Sequence, residues 1–178
     1  LEWEKENPFE VGIGWGQEPW CQKEMPVTLE LAEECARRND VALIIIGRTA
    51  GEDKDNLETE GSWYLTSLEK EMIKNVSKAK KKTVVVFNTG NIVDMNFVKK
   101  YNVKSVLYTW QGGMVGGLGV SDILTGKENP SGKLTDTIAS SIKDYPSSSN
   151  FGSLKDNVYA EDIYVGYRYF ETFAKDKV

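Results

Sequence analysis

The residues best suited to chemistry stand in one polar loop, at positions 47–56, directly after an apolar run of the sequence. Two glycines in this loop allow the backbone to turn sharply and to project a neighbouring side chain. An acidic side chain at the tip can protonate a leaving group, provided that burial or a nearby anion raises its pKa. A solvated acidic loop that binds a cation is the alternative interpretation. The charged residues of the loop are Arg48, Glu52, Asp53, Lys54 and Asp55.

Histidine is absent from the sequence. Its absence excludes catalytic sites of the Ser–His–Asp and Cys–His types, as well as metal sites built on histidine. Protons must therefore be carried by carboxylates, lysines or tyrosines. We expect neither a metal ion nor an organic cofactor.

Two further polar loops follow apolar runs, and both suggest structural roles. In the loop at positions 88–94, Asn91 suits a helix cap and Asp94 suits the first turn of a helix. The glycine-rich loop at 110–119 precedes a predicted helix, as a phosphate-binding loop does. It lacks the Lys-Ser/Thr ending and the G-x-G-x-x-G spacing of such loops, so close packing of its backbone against the sheet is the better interpretation.

Apolar runs predict the strands of the fold. Residues 41–47, 83–88 and 105–110 are rich in β-branched side chains, which is typical of strands buried on both faces. A later strand, at an edge of the sheet, is predicted for residues 164–170.

Helices are predicted between the strands. Thr28 precedes the first of them as a candidate cap, and Thr66 with Glu69 forms a capping box for the second. The predicted helices other than the second cover residues 29–38, 94–101 and 113–125.

The alternation of strand and helix with short links predicts an α/β fold. We expect a layered α/β/α sandwich with a mostly parallel, doubly wound sheet. Ligands of such sheets bind beyond the carboxyl ends of the strands. The three polar loops all follow predicted strands, so we expect the functional site at that shared edge.

Composition places the chain among globular proteins. With 178 residues, 40% hydrophobic and 28% charged, it suits a single domain, 1–178, whose residues 1–27 form an extended arm. The net charge of −5 argues against nucleic acid and against an anionic membrane as partners. Cys21 and Cys35 give no disulfide framework, so we expect free thiols in a cytoplasmic protein, with one bridge between them as the alternative.

Five segments, in this order along the chain, resemble the α/β sandwich domain of glycoside hydrolase family 3. The resemblance covers the chain from about Val41 to Glu171, and its most specific pieces are NPSGKL and YVGYRYFE. The segments are GRTAGED, WYLTSLEKEMI, TVVVFNTGNIVDM, WQGGMVGGLGVSDILTGKENPSGKL and YAEDIYVGYRYFE.

The resemblance implies a β-glucosidase-like enzyme that acts on a β-glucoside or an oligosaccharide with retention of configuration. It implies that a TIM-like barrel of the same polypeptide supplies an aspartate nucleophile and that the sandwich supplies the acid/base. Gly51-Glu52-Asp53 matches the family's catalytic loop, so the acid/base role passes to Glu52. Because such a barrel takes about 250 residues, we expect it outside this chain, and we expect the chain alone to be inactive.

Three more residues are predicted to bind the substrate: Arg48, Asp53 and Trp63. Asp53 stands where the family more often has glycine, and its carboxylate raises the pKa of Glu52 if both groups are desolvated. Trp63 can stack on a sugar ring, although packing in the core or at a domain interface is the alternative.

Two other functions stay open. One is a non-catalytic module that binds carbohydrate or completes a partner's pocket. The other is a flavodoxin-like domain that binds a nucleotide or phosphate at the strand ends, which an acidic loop and a poor glycine motif disfavour.

Overall fold

The computed structural model describes residues 5–6, 21–22, 25–48, 55–80, 82–156 and 158–178. Within the predicted arm, Lys5–Glu6 (β1) and Cys21–Gln22 (β2) pair as a short antiparallel ladder. Most of the remaining arm lies outside the described residues.

Three parallel strands form the central sheet in their order along the chain. They are Ala42–Gly47 (β3), Thr83–Asn88 (β4) and Ser105–Tyr108 (β5), with β4 in the middle. Their Val, Ile and Thr side chains branch at Cβ, which restricts χ1 and favours a pleated strand. The predicted α/β class and the predicted parallel sheet are confirmed.

Helices flank the strands and connect them. The predicted helices at 94–101 and 113–125 are present, but both begin later than predicted. The α-helices of the described residues are Leu29–Arg38 (α1), Ser67–Ala79 (α2), Asn96–Tyr101 (α3), Gly116–Leu124 (α4) and Tyr167–Phe173 (α5).

Both predicted threonine caps are confirmed. The Oγ1 atom of Thr28 accepts the backbone N–H of Leu31 at 3.3 Å, and Oγ1 of Thr66 accepts that of Glu69 at 3.2 Å. The carboxylate of Glu69 in turn accepts the backbone N–H of Thr66 at 2.8 Å, which completes the capping box. These bonds satisfy N–H groups that the first turn of a helix leaves unpaired.

The main core lies between one face of the sheet and helices α2 and α3. On this face Ile44 and Ile46 pair in register with Val85 and Phe87, and all four are at most 3% exposed. Burying a side chain of this size contributes about 1.5–3 kcal/mol. The helices and loops add the buried side chains of Leu65, Ile73, Val93, Phe97 and Val103.

The other face of β3 is open, which corrects the prediction of a strand buried on both faces. Leu43 and Ile45 are 51% and 67% exposed, whereas Ile44 between them is 3% exposed. In the described sheet β3 is an edge strand, and its open face lines an apolar groove of about 880 Å³ together with Val120 and Leu124 of α4. The continuous apolar run of β3 therefore places one set of side chains in the core and the other set on a face that is uncovered in this structure.

Residues 164–170 form no strand, so that prediction is wrong. Helix α5 begins after Gly166, whose φ of +58° lies in the left-handed region that favours glycine. Phe170 in this helix is 1% exposed and packs in a second cluster with Ala139 and Ala174. The alternating aromatic residues fit the period of a strand, but the burial of Phe170 against these alanines stabilises the helix instead.

Candidate functional site

The carboxyl ends of the three parallel strands meet at one edge of the sheet. The backbone N–H of Arg48 donates to the carbonyl of Asn88 at 3.1 Å, and that of Thr109 donates to the carbonyl of Phe87 at 2.9 Å. The hydroxyl of Thr109 donates to the same carbonyl of Phe87, also at 2.9 Å. These bonds continue the ladder one residue beyond β3 and β5, so the three polar loops leave the sheet side by side, as predicted.

The tip of the acidic loop, positions 49–54, lies outside the described residues. The acid/base role of Glu52 and the substrate contact of Asp53 therefore stay predictions. The structure does describe both ends of this segment, at Arg48 and at Asp55.

Arg48, at the start of the segment, binds Glu69 of helix α2. Its Nη2 atom donates to Oε2 at 2.5 Å, its Nη1 atom donates to Oε1, and Nη1 also donates to the carbonyl of Gly47 at 3.1 Å. The side chains of Arg48 and Glu69 are 18% and 16% exposed. Charge-assisted bonds of this two-pronged kind are stronger than neutral ones and fix the relative orientation of the groups.

The surroundings of Glu69 keep its carboxyl ionised. Burial raises the pKa of Glu69, but the hydrogen bond from Arg48, the backbone N–H of Thr66 and the positive charge of Arg48 together outweigh burial. The pKa therefore lies below its ordinary value. Because Glu69 occupies both terminal nitrogens of the guanidinium, contact of Arg48 with substrate stays a prediction.

The far end of the acidic segment is held by neutral hydrogen bonds. The amide Nδ2 of Asn56 donates to the carbonyl of Ile92 at 2.9 Å, which ties this end to the loop after β4. The next backbone N–H, that of Leu57, donates to Oγ of Ser62 at 2.9 Å. Both ends of the segment are thus fixed to neighbouring parts of the fold.

Trp63 lies in the interior, 1% exposed. Its ring packs edge to face with Tyr145, and its carbonyl accepts the backbone N–H of Asp94 at 2.8 Å. Its indole nitrogen is buried and finds no acceptor among the residues that the structure describes. A packing role accounts for this position, and contact of Trp63 with a sugar stays a prediction.

The other two loops have structural roles, but these differ from the predicted ones. Helix α3 begins at Asn96 with Met95 as its N-cap, so Asn91 is not its cap and Asp94 precedes its first turn. Asp94 accepts the backbone N–H of Asn96 at 3.0 Å, just before helix α3. In the glycine-rich loop, a Cβ placed on Gly112 would come within 2.8 Å of Cα of Gly116, so the turn closes on itself where only glycine fits. The close approach is within the turn rather than against the sheet.

Sequence reasoning missed two partly buried tyrosines whose hydroxyls bind the backbone of loops. The hydroxyl of Tyr108 accepts the backbone N–H of Val93 at 3.1 Å, and that of Tyr145 accepts the N–H of Ala139 at 2.9 Å. Burial raises the pKa of Tyr108 to about 12. The sequence also gave no sign that Glu69, found as a capping residue, pairs with Arg48, because a partner 21 positions away leaves no local pattern.

Two kinds of feature would bear on metal or membrane binding in the described part of the chain: a cluster of metal ligands and a membrane-spanning helix. Within it, no group of three or more His, Cys, Asp or Glu side chains is placed to hold a metal ion. No helix among these residues is both long enough and apolar enough to cross a membrane. The cytoplasmic location stays a prediction.

Comparison with known proteins identifies close relatives. The family model described as "Glycosyl hydrolase family 3 C-terminal domain" matches residues 18–167. A β-glucosidase of Ruminococcus albus is 51% identical over 173 residues, which cover 97% of this chain but 18% of that protein. The chain therefore spans less than a fifth of the length of this relative.

Solved structures give the same result. A β-glucosidase from Paenibacillus barengoltzii matches with a TM-score of 0.81 at 52% identity, over 90% of this chain and 18% of that one. β-Glucosidase 3B from Thermotoga neapolitana, in complex with glucose, matches with a TM-score of 0.74 at 38% identity, over 86% of this chain and 23% of that one. Both the sequence and the fold are thus similar to one part of much longer proteins.

Proposed function

Because this chain belongs to glycoside hydrolase family 3, as an example of its C-terminal domain, we propose that it supplies the acid/base glutamate of a retaining β-glucosidase. That glutamate is Glu52. The supporting observation is the position of its loop, which leaves the sheet at the carboxyl end of β3, where Arg48 and Asn88 are hydrogen-bonded. Parallel sheets of this kind bind ligands at that edge.

The proposal includes a partner domain and a substrate class. A TIM-like barrel of the same polypeptide supplies the aspartate nucleophile and most of the sugar pocket. The short span of the match supports this division, since the chain covers 18% of the Ruminococcus albus β-glucosidase. The substrate is a β-glucoside or oligosaccharide with a terminal β-D-glucosyl residue, in keeping with the names of the relatives.

Two proton transfers define the role of Glu52. In the first step its carboxylic acid protonates the glycosidic oxygen as the bond from C1 to that oxygen breaks and the aspartate carboxylate bonds to C1. In the second step its carboxylate removes a proton from water, whose oxygen attacks C1 and displaces the aspartate. The mechanism requires the two carboxyl groups to lie about 5–5.5 Å apart.

The neighbour of Glu52 favours the acid form at neutral pH. In this proposal, a carboxylate at Asp53 raises the pKa of Glu52 by like-charge repulsion if both groups are desolvated. An acid with a raised pKa is protonated when the substrate arrives and can donate in the first step.

The test is Glu52→Gln in the whole polypeptide, assayed with phenyl and 2,4-dinitrophenyl β-glucosides. General acid catalysis contributes about 10²–10⁴-fold, so kcat/KM for the phenyl glucoside should fall by that range. The dinitrophenolate leaves without a proton, so its kcat/KM should fall far less. Azide is a nucleophile that needs no general base, so it can replace water in the second step. With the dinitrophenyl glucoside, azide should therefore restore kcat of the Glu52→Gln variant and give β-glucosyl azide.

The matched control is Glu60→Gln, at an exposed carboxylate that pairs with Lys70 at 3.2 Å. It should leave both substrates unaffected. An unchanged kcat/KM for the phenyl glucoside in Glu52→Gln would refute the proposal and favour the non-catalytic module. Membership of the family already argues against the flavodoxin-like alternative.

A further inference from the structure

We infer that the apolar groove on the open face of β3 binds an amphipathic helix from a part of the polypeptide outside these 178 residues. The groove lies between this face of the sheet and helix α4. Its apolar lining comprises Val41, Leu43, Ile45, Val86, Val120 and Leu124. The inference goes beyond the proposed function and does not depend on it.

The open face of the sheet is covered over β4 but not over β3. Ile45 of β3 and Val86 of β4 are partners in the parallel register, so both side chains point to the same face. Val86 is 2% exposed, whereas Ile45 is largely exposed. Sheets made only of parallel strands normally carry helices on both faces. The layer on this face is therefore complete over one strand and incomplete over its neighbour.

The sequence of β3 is that of a strand covered on both faces. A strand with one solvated face usually alternates apolar and polar residues. Here the outward positions 41, 43 and 45 are Val, Leu and Ile, at 46%, 51% and 67% exposure. Water is an unfavourable surrounding for three large apolar side chains on one face, so we expect another element to cover them.

Helix α4 presents to the groove a face with room for a close neighbour. The residues of α4 that line the groove include four at the spacing i, i+3, i+4 and i+7, namely Gly117, Val120, Ser121 and Leu124. A Cβ built on Gly116 or Gly117 meets none of the described atoms within 4 Å. Glycine weakens a helix relative to alanine, and the described contacts do not require it here. Small residues do allow a second helix to pack closely against the first.

The shape of the groove indicates the kind of element that fills it. The space lies over the face of the sheet, where parallel sheets carry helices. The six residues of β3 span about 20 Å at roughly 3.3 Å per residue. A helix of about 13 residues has the same length, at about 1.5 Å per residue. We expect this helix to carry apolar residues at i, i+3, i+4 and i+7, because that stripe faces the groove.

The length of the relatives supports a source elsewhere in the polypeptide. The chain covers 18% of the Ruminococcus albus β-glucosidase and 23% of the Thermotoga neapolitana enzyme, so most of such a polypeptide lies outside the matched part. Positions 7–20 are a poorer source of a helix, because their sequence includes Gly12, Gly14, Gly16 and Pro19.

The first test is thiol labelling of Ile45→Cys in the whole polypeptide. Cysteine is smaller than isoleucine, so it fits beneath the helix. N-Ethylmaleimide should modify it at least about 100-fold more slowly than in the urea-unfolded protein, because a covered thiol reacts only when the helix opens. Leu154→Cys, at a side chain that is 103% exposed, is the control and should react at close to the unfolded rate. Equally fast labelling at both positions would overturn the inference.

The second test identifies the occupant by crosslinking. Photo-leucine, a diazirine analogue close to leucine in shape, is incorporated at the leucines of the whole polypeptide, and the products at Leu43 and Leu124 are identified by mass spectrometry. Both positions should crosslink to one segment outside residues 1–178 that carries apolar residues at helical spacing. A mixture of 15N-labelled and unlabelled polypeptide shows whether a crosslink joins two copies.

The other outcomes of the crosslinking overturn the inference. Crosslinks to positions 7–20 would assign the groove to this chain's own sequence, and crosslinks between copies would assign it to a dimer. The absence of crosslinks from Leu43 and Leu124 would show that the groove is empty.

A third measurement tests whether the cover stabilises the domain. Ile45→Asp in the whole polypeptide places a charge beneath the helix and should lower the Tm of this domain by about 5 °C or more. Leu154→Asp should leave the Tm unchanged. An unchanged Tm in Ile45→Asp would contradict the inference.

Discussion

Trp63 and Tyr145 meet edge to face, with ring centroids 6.1 Å apart and ring planes at 86°. Tyr145 makes a second contact of the same kind with Phe170 of helix α5, at 5.6 Å and 88°. These three rings join the segment after the acidic loop to helix α5. Offset and edge-to-face pairs contribute about 0.5–1.5 kcal/mol beyond the burial of their area.

Replacing Trp63 should therefore affect stability. Trp63→Ala removes a fully buried ring, and we expect the free energy of unfolding of this domain to fall by about 3–5 kcal/mol in urea titration. Phe151→Ala, at a 65% exposed ring, should change it by about 0.5 kcal/mol or less. A Trp63→Ala variant that keeps its stability but raises KM would instead support a sugar contact.

The hydroxyl of Tyr145 should contribute separately from its ring. It accepts the N–H of Ala139 at 2.9 Å and donates to the carbonyl of Thr137 at 2.8 Å, so Tyr145→Phe leaves both backbone groups without this partner. The expected loss is about 1–3 kcal/mol in the same titration. Tyr159→Phe, at an 83% exposed side chain, provides the control and should be neutral.

Stability should fall in alkaline solution because of Tyr108. Burial raises its pKa from 10 in the unfolded chain to about 12 in the folded one, so the unfolded state loses its proton first. The neutral phenol therefore makes its full contribution to the free energy of unfolding below pH 10, and this contribution is lost as pH rises from 10 to about 12. Urea titrations across this range should show the decline, and Tyr108→Phe should be less stable at pH 8 but decline less steeply.

The cap of helix α2 can be tested at Thr66. Thr66→Ala removes the acceptor of the Glu69 N–H and should reduce stability by about 0.5–2 kcal/mol. Thr66→Ser retains a hydroxyl at the same position and should restore most of the loss. A neutral Thr66→Ala variant would show that the capping box contributes nothing measurable here.

The chain expressed alone should not hydrolyse aryl β-glucosides. The proposed nucleophile belongs to another domain, and a retaining mechanism requires both carboxyl groups. The assay is release of 4-nitrophenolate at a high concentration of the purified chain. Robust turnover, abolished by Glu52→Gln, would contradict the two-domain proposal.

Local chemistry made much of this fold predictable. The β-branched runs located β3, β4 and β5, and the capping box located helix α2 at Thr66, because both signals depend on neighbouring residues alone. The prediction of a strand at 164–170 was wrong. The alternating aromatic residues have the period of a strand, but the contact of Phe170 with the distant Ala139 stabilises a helix.

The candidate site was less predictable than the fold. The sequence located the acidic loop and its edge of the sheet, but not what holds the loop in place. The pairing of Arg48 with Glu69 depends on how β3 and α2 pack, which no local pattern records. The same applies to Tyr108, whose hydroxyl reaches the N–H of Val93 across 15 positions.

The uncovered side of β3 has a consequence for handling this polypeptide. In the part of the sheet that the structure describes, β3 is a border strand, and its apolar side chains Leu43 and Ile45 are exposed. Such borders template intermolecular strand addition unless charges, proline or a neighbouring element block them. Chains produced without an element that covers β3 should therefore self-associate as their concentration rises. Ile45→Lys should suppress this aggregation and leave the core intact, because Ile45 is exposed.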